Sequence, residues 1–242
     1  MTPAPESLIV KVYVWEAPVR IAHWLIAGAI VVLSVTGFYI GNPFITVSGR
    51  AGDHFVMGWM KVIHTYTAYV FIAAVLARVI WMFSGNKYAH WDKFVPVHRS
   101  RFRALWPTFR FYVFALRKPP GFVGHNPLAG LAYVLVFGLY FLAIITGLIM
   151  RSAGADAEST MRSFMSLAPI FGGLYGVRWI HHVVMWLLLG FAVHHVYSSV
   201  LMSTVEANAT VESMFSGYKF VPEEDLRYSG YRFVTRRGEV DE

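Results

Sequence analysis

The sequence predicts an all-α integral membrane protein, folded as a bundle of four helices. Hydrophobic residues make up 56% of its 242 residues and charged residues only 14%, whereas about 25% of the residues of a soluble protein are charged. Four apolar stretches approach or exceed the ~20 residues that a helix needs to cross a bilayer. The predicted spans are Ile21–Ile40, Val62–Phe83, Leu128–Met150 and Ile180–Met202.

The chain contains no cysteine, so its ten histidines are the main side chains that can bind a soft metal ion. Without cysteine, the chain cannot ligate an iron–sulfur cluster or a cysteine-bound zinc ion. Residues 1–10 lack the basic segment, apolar core and cleavage site of a signal peptide. We therefore expect the first span to act as the membrane-insertion signal.

Basic residues predict the orientation of the spans. The link between the second and third spans, residues 84–127, carries eight basic residues against one acid, Asp92. The other two links are much less basic. Because cytoplasmic loops carry an excess of Lys and Arg, this link and both termini are predicted to lie on the cytoplasmic side of the inner membrane. We assign the net charge of +7 to this topology and not to nucleic acid binding.

The extramembrane parts are predicted to be small. We assign residues 1–220 to the membrane domain and residues 221–242 to a charged cytoplasmic tail. Within the basic link, Arg101–Leu116 mixes arginine with aromatic residues. This composition predicts a helix that lies in the membrane interface and is kinked near Pro107.

Two histidines of the fourth span, His181 and His195, are fourteen residues apart. At ~100° per residue they fall within ~40° of one helix face, and a rise of ~1.5 Å per residue separates them by ~21 Å along the axis. The predicted orientation places His181 near the outer membrane face and His195 near the inner face. On the same grounds His64 of the second span is outer and His23 of the first span is inner. Depth therefore pairs His64 with His181, and His23 with His195.

These two pairs predict two haem groups bound between the helices. Neutral imidazole is a common axial ligand of haem iron, and two of them suit a low-spin electron carrier. A single zinc site is disfavoured because His181 and His195 are too far apart to share one ion. The adjacent His182 and His194 are not on a shared face with His195 or His181, so we expect them to point elsewhere.

Three further residues are candidates for haem contact. Gly37 is fourteen residues after His23, at the predicted depth of the outer haem, and Gly147 lies in a similar segment of the third span. A porphyrin between helices needs such patches without side chains, although ordinary small-residue helix packing explains either glycine equally well. Arg78 is fourteen residues after His64. It is placed to pair with a propionate of the inner haem, or to extend towards the cytoplasmic interface.

A series of short segments distributed along the chain forms a specific combination: Glu16–Trp24, Thr36–Gly41, Met57-Gly58, Ile63-His64, Gly85-Asn86, Val95–Val97, Gly124–Pro127, His181-His182, Met185-Trp186, His195–Tyr197 and Ser216–Tyr218. In this combination the chain resembles the b-type cytochrome subunits of membrane-bound, uptake-type nickel–iron hydrogenases. The resemblance covers residues 13–219. One departure follows His195-Val196-Tyr197, where relatives often carry Arg-Glu-Asp and this chain has Leu201-Met202-Ser203.

The resemblance implies an electron-transfer role without catalytic residues on this chain. A periplasmic hydrogenase, with a large nickel–iron subunit and a small iron–sulfur subunit, oxidises H2. Its electrons pass to the outer b haem, held by His64 and His181, then to the inner b haem, held by His23 and His195, and then to a quinone near the cytoplasmic side. Both haems are bound without covalent attachment.

Other functions stay open from the sequence. Within the same class, the chain is also compatible with the cytochrome b subunit of a formate dehydrogenase or a related quinone-linked oxidoreductase. In a different class, the histidines could form the proton relay of a small transporter. The spans contain no Asp or Glu and no repeated halves, which disfavours that alternative. A passive membrane anchor would leave four depth-matched histidines without a purpose.

Overall fold

The computed structural model describes residues 9–45, 49, 55–113, 115–117 and 121–228. Helices account for most of these residues, which confirms the predicted fold class. In chain order the helices are α1 (Ala17–Gly41), α2 (Val56–Ser84), α3 (Arg99–Tyr112), α4 (Pro127–Ser152), α5 (Gly173–Glu206), α6 (Ser213–Ser216) and α7 (Glu223–Tyr228). Two 3-10 segments, Trp91–Lys93 and Thr160–Phe171, lie between them.

The four predicted spans are confirmed as α1, α2, α4 and α5, each longer than the predicted stretch. They contain 25, 29, 26 and 34 residues, which at ~1.5 Å per residue gives ~38 to ~51 Å. A hydrocarbon core is ~30 Å thick, so the helix ends extend into the interfacial layers or the helices tilt. Large apolar side chains such as Val31, Leu135 and Val193 are 63%, 69% and 74% exposed. This exposure suits a lipid solvent.

The N-terminus of α4 shows how the sequence begins a span. Asn126 precedes the helix, and its Oδ1 accepts a hydrogen bond of 2.8 Å from the backbone N–H of Ala129. Pro127 occupies the first helical position, where the missing N–H costs nothing because no carbonyl precedes it in the helix. The Asn-Pro pair therefore fixes where the third span starts.

By contact density the chain divides into two compact units. The first comprises residues 1–20, 80–137 and 190–242, and the second comprises residues 21–79 and 138–189. Each of the four long helices contributes residues to both units.

In the first unit, two short strands that the sequence did not predict pair antiparallel. They are β1 (Ile9–Tyr13) and β2 (Tyr218–Pro222), with Ile9 opposite Pro222 and Tyr13 opposite Tyr218. Their inward side chains join a buried cluster that we call the terminal core: Val12, Val14, Trp15, Val19, Tyr88, Ala89, Val123, Val221 and Leu226. Two of its members lie beyond residue 220, where the sequence analysis placed the start of the tail. That domain boundary stays a prediction.

Gly217 makes the turn into β2 possible. Its φ is +90°, and a Cβ at this position would lie 2.5 Å from Tyr13 Cε2 and 2.8 Å from the carbonyl oxygen of Trp15. The Gly217 carbonyl accepts hydrogen bonds from the N–H groups of Val14 and Trp15, at 2.8 and 3.1 Å. Only glycine combines this backbone conformation with so close an approach.

A helix, α3, is present where the interfacial helix was predicted at Arg101–Leu116, but it begins two residues earlier and ends at Tyr112. Its location in the membrane interface stays a prediction. The helix continues through Pro107, and the kink predicted there stays a prediction. Ala104 and Thr108 are buried on its inner side, 3% and 1% exposed. Val113 already has a non-helical φ and ψ, so Val113, Ala115 and Leu116 lie outside the helix.

The second unit has a core of its own where α4 and α5 adjoin the 3-10 segment Thr160–Phe171. Ile149, Ala168 and Val177 are almost fully buried there. The segment ends at Gly172 and Gly173, with φ of +79° and +81°. These left-handed glycines redirect the chain into α5.

We expect Glu16 to be important for the stability of the first unit. Its Oε2 accepts hydrogen bonds of 2.8 Å from both Trp81 Nε1 and the backbone N–H of Asn86. Glu16→Ala leaves both donors without this acceptor, so the free energy of unfolding should fall by roughly 1.5–3 kcal/mol. Thermal unfolding followed by circular dichroism in detergent measures the change.

The matched control is Glu158→Ala, because Glu158 is exposed and has no hydrogen bond within the described residues. It should unfold at the wild-type temperature. Equal unfolding temperatures for Glu16→Ala and the wild type would contradict the role of Glu16.

Candidate functional site

His64 of α2 is held by a threonine of α1 within the second unit. His64 Nδ1 lies 2.8 Å from Thr36 Oγ1. The Thr36 hydroxyl also lies 2.7 Å from the carbonyl oxygen of Val32, one turn earlier in α1. A hydroxyl has a single proton, and the Val32 carbonyl can only accept it. The imidazole Nδ1–H therefore donates to Thr36 Oγ1.

His181 of α5 has the same arrangement with a threonine of α4. His181 Nδ1 lies 2.9 Å from Thr146 Oγ1, and that hydroxyl donates to the carbonyl oxygen of Leu142 at 2.7 Å. Thr146 is fully buried, with no exposed surface. In both pairs the proton on Nδ1 leaves Nε2 as the nitrogen with a lone pair, which is the form of histidine that binds a metal.

The two predicted glycines adjoin these two rings. A Cβ on Gly37 would lie 3.5 Å from Cε1 of His64, and a Cβ on Gly147 would lie 3.5 Å from Cε1 of His181. The Thr-Gly pairs of α1 and α4 therefore make equivalent contacts. In each pair the threonine hydroxyl accepts a hydrogen bond from the histidine Nδ1–H, and the glycine leaves space beside the ring. His64 and His181 both lie in the second unit, and their pairing at one haem stays a prediction.

His195 lies in the first unit and has a tyrosine in place of the threonine. Its Nδ1 is 3.2 Å from the hydroxyl oxygen of Tyr133. Its ring stacks on Phe191, with centroids 5.5 Å apart and an interplanar angle of 15°. The Tyr133 ring in turn meets His125 edge-on, with centroids 4.7 Å apart. His195 therefore sits in an aromatic surrounding with its Nδ1 directed at a hydroxyl group.

The remaining predicted site residues belong to the second unit. The His23 ring contacts Trp24 edge-on at 5.0 Å between centroids, and Arg78 is buried, 8% exposed. His23 and His195 fall in different units, so their pairing stays a prediction. The roles of Gly37, Gly147 and Arg78 towards a cofactor are predictions as well.

The neighbouring histidines of α5 differ from the predicted ligands. His182 Nδ1 donates to the carbonyl oxygen of Arg178, 2.8 Å away in the same helix. The other ring nitrogen, Nε2, would be 3.0 Å from a Cβ on Gly41, so the ring packs onto the end of α1. His194 is exposed. Among the described residues, neither ring has a threonine or tyrosine partner of the kind that His64, His181 and His195 each have.

Comparison with known proteins identifies the family. The family model described as prokaryotic cytochrome b561 matches residues 14–217. The chain belongs to this family. The match includes all four long helices up to the turn into β2, and all four predicted histidine ligands.

Proteins similar to this chain carry matching descriptions. A probable Ni/Fe-hydrogenase B-type cytochrome subunit of Azotobacter vinelandii is 38% identical over 212 residues, 86% of this chain and 88% of the relative. One of Cupriavidus necator is 38% identical over 89% of this chain and 90% of the relative. A probable Ni/Fe-hydrogenase 1 B-type cytochrome subunit of Escherichia coli K12 is 34% identical over 87% of this chain and 92% of the relative. The resemblance drawn from the sequence motifs is confirmed.

Membership of this family makes the chain a multi-pass membrane protein and a b-type cytochrome, which implies haem b. The residues present fit that group. Two neutral imidazoles with available Nε2 atoms, those of His64 and His181, would hold a haem iron through nitrogen. The glycines beside both rings leave space that a side chain would fill. The donor set and the available space therefore both suit haem at His64 and His181.

Thr36, Thr146 and Tyr133 are the site residues that sequence reasoning missed. A signal for the threonines was present, because Thr-Gly occurs at residues 36–37 and again at residues 146–147 in two apolar spans. Threonine in an apolar helix commonly bonds its own backbone, so its second partner could not be read from the sequence. Tyr133 has no comparable signal, since the sequence does not reveal which α4 residue faces His195.

Proposed function

We propose that this chain is the di-haem cytochrome b subunit that anchors a periplasmic nickel–iron hydrogenase and passes its electrons to the quinone pool. The observation that carries the proposal is the repeated arrangement around His64 and His181. Each ring is fixed by a threonine hydroxyl, adjoined by a glycine and left with Nε2 available. The similarity to hydrogenase cytochrome subunits over at least 86% of the chain supports the choice of partner.

In this proposal His64 and His181 hold the outer b haem, and His23 and His195 hold the inner one. When bound, haem supplies a reversible one-electron centre. Each haem would be held by two imidazoles of this chain, which would leave no open site for oxygen chemistry. The hydroxyl partners of Nδ1 fix the ring orientation and raise the basicity of the ligand. Arg78, which is buried, is the residue that we propose contacts a propionate of the inner haem.

The proposed topology puts both termini and the link that carries α3 in the cytoplasm, and the outer ends of α1 and α5 at the periplasmic face of the inner membrane. The small iron–sulfur subunit then meets the periplasmic face, and through it the large nickel–iron subunit. The quinone binds towards the cytoplasmic side. The chain itself has no acid, base or nucleophile assigned to catalysis, so H2 activation belongs to the partner.

A pyridine haemochrome assay on the purified chain tests the cofactor, and H2-driven reduction tests the partner. We expect about two b haems per chain, and reduction of both by H2 in membranes that also contain the hydrogenase subunits. Reduction by formate but not by H2 would favour a formate dehydrogenase partner. A well-folded chain without haem would favour the histidine-relay transporter and refute the proposal.

Substitution of His181 or of the adjacent His182 distinguishes the proposed haem ligand from its neighbour in α5. His181→Ala should abolish binding of the outer haem and leave much of the inner haem, because only one of the two sites loses a ligand. His182→Ala should keep both haems, since the Nδ1 atom of His182 is bonded within its own helix. Haem content per chain and the low-spin optical spectrum measure the result. Loss of haem in His182→Ala would contradict the assignment.

The threonine partners should affect haem affinity without being ligands. Thr36→Val keeps the side-chain shape but removes the acceptor of the His64 Nδ1–H. We expect haem affinity at the outer site to fall roughly 10–100-fold, as for other hydrogen-bond partners of metal-ligating histidines. Haem transfer to apomyoglobin gives the affinity.

Thr204→Val is the matched control, because Thr204 is exposed and also donates to its own helix, at the Leu201 carbonyl, without a histidine partner. Its haem affinity should equal that of the wild type. An unchanged affinity in Thr36→Val would show that the threonine does not support the ligand.

Removing haem should destabilise the membrane domain. A ligand that binds only the folded state stabilises it by RT ln(1 + [L]/Kd), about 4 kcal/mol when the free haem concentration is a thousand times Kd. The thermal unfolding temperature of haem-free protein in detergent should therefore lie below that of the haem-bound protein and recover when haem is added back. Equal temperatures would contradict binding to the folded state.

A further inference from the structure

Helix α3 presents an exposed face made of two neighbouring stripes. The aromatic stripe consists of Phe102, Trp106 and Phe109, and it is extended by the aliphatic Val113, one residue past the helix end. The arginine stripe consists of Arg99, Arg103 and Arg110. All seven residues are exposed, with Phe102 and Trp106 each 65% exposed. At ~100° per residue the aromatic stripe covers ~60° of the helix circumference, and the arginine stripe covers ~40° directly beside it.

The opposite face of α3 is fixed to the first unit. Arg101 donates through Nη2 to the carbonyl oxygens of Lys93 and His125, at 2.7 and 3.1 Å. At the other end of the helix, Asn126 Nδ2 donates to the Tyr112 hydroxyl at 3.2 Å. Asn126 is also the residue that caps α4. These bonds hold α3 beside the start of α4, one of the four helices long and apolar enough to cross a membrane.

The arginine stripe has no anionic partner within the part of the chain that the structure describes. No hydrogen bond or ion pair joins its three guanidinium groups to a described residue. The acid of this link, Asp92, is paired with Lys93 at 2.8 Å and with His90 at 3.1 Å; these partners lower its pKa although burial raises it. The stripe is therefore a set of three positive charges that an external anion can neutralise.

The aromatic stripe indicates where that anion lies. Trp106 and Phe109 stack with centroids 5.7 Å apart and an interplanar angle of 23°, which forms a flat apolar plate on the exposed side. Tryptophan and other large aromatic rings favour the boundary between acyl chains and headgroups. When the plate lies at that boundary, the adjoining arginine stripe lies at the level of the phosphates.

We propose that this face of α3 binds anionic phospholipid, with the aromatic stripe in the interface and the arginine stripe on the lipid phosphates. Guanidinium groups bind phosphate oxygens through paired charge-assisted hydrogen bonds. Each basic residue near an anionic leaflet favours anionic lipid by roughly fivefold, so three give about a hundredfold at most. This binding requires neither haem nor hydrogenase.

The test uses the full chain in nanodiscs that contain equal amounts of phosphatidylglycerol and phosphatidylcholine. Native mass spectrometry of the released protein gives the ratio of the two lipids that stay bound. We expect the wild type to retain at least about threefold more phosphatidylglycerol. The variant R99Q/R103Q/R110Q should retain the two lipids near the bulk ratio.

A matched control removes three exposed cations elsewhere, K61Q/R151Q/R178Q, and should retain the wild-type ratio. Inorganic phosphate at constant ionic strength separates a lipid site from a simple anion site, and it should leave the ratio unchanged. If the triple variant does not insert, the single variants R99Q, R103Q and R110Q give the same comparison. Each should retain a lower ratio of phosphatidylglycerol to phosphatidylcholine than the wild type.

Three results would overturn the proposal. They are a wild-type ratio equal to the bulk ratio, undiminished enrichment in the arginine variants, and loss of enrichment when phosphate is added.

Discussion

Within a bilayer every polar group must find its partner inside the protein, and this constraint governs the structure at each level. The backbone meets it by forming four long helices. Thr36 of α1 and Thr146 of α4 each form two hydrogen bonds inside the protein. Each hydroxyl donates to a carbonyl of its own helix and accepts from a histidine of another helix. The proton that satisfies Nδ1 is the reason why Nε2 remains available. A requirement of burial thus sets the chemical state of the ring.

The same constraint explains what happens where the helices leave the membrane. There the chain can use water, charge and sheet pairing, and it joins β1 to β2 although about 200 residues separate them. Glu16, at the start of α1, accepts from Trp81 and Asn86 near the end of α2. Polar side chains near the ends of the spans therefore also connect segments that are far apart in sequence.

A feature could be predicted from the sequence when its pattern extends over enough consecutive residues of one helix. The spans were predictable because hydropathy acts over ~20 residues, and the histidine pairs because a helix fixes both angle and rise. The strand pair was missed because each strand has five residues and neither alternates clearly. The threonine partners were missed because the sequence shows which residues lie on one helix but not which helix they face. The end of α3 was placed too late because the apolar pattern continues past Tyr112.

One continuous helix also explains how two sites can keep a fixed separation. His181 and His195 both belong to α5, an uninterrupted helix from Gly173 to Glu206, so their ~21 Å spacing along the axis follows from the backbone and not from loop packing. Their hydroxyl partners, Thr146 and Tyr133, likewise share one helix, α4, and lie thirteen residues apart. Each of the two histidines of α5 therefore has a hydroxyl partner on α4, and the spacing of the partners nearly matches that of the histidines. The electron transfer that we propose between two haems needs centres at a fixed distance, and a continuous helix supplies such a distance.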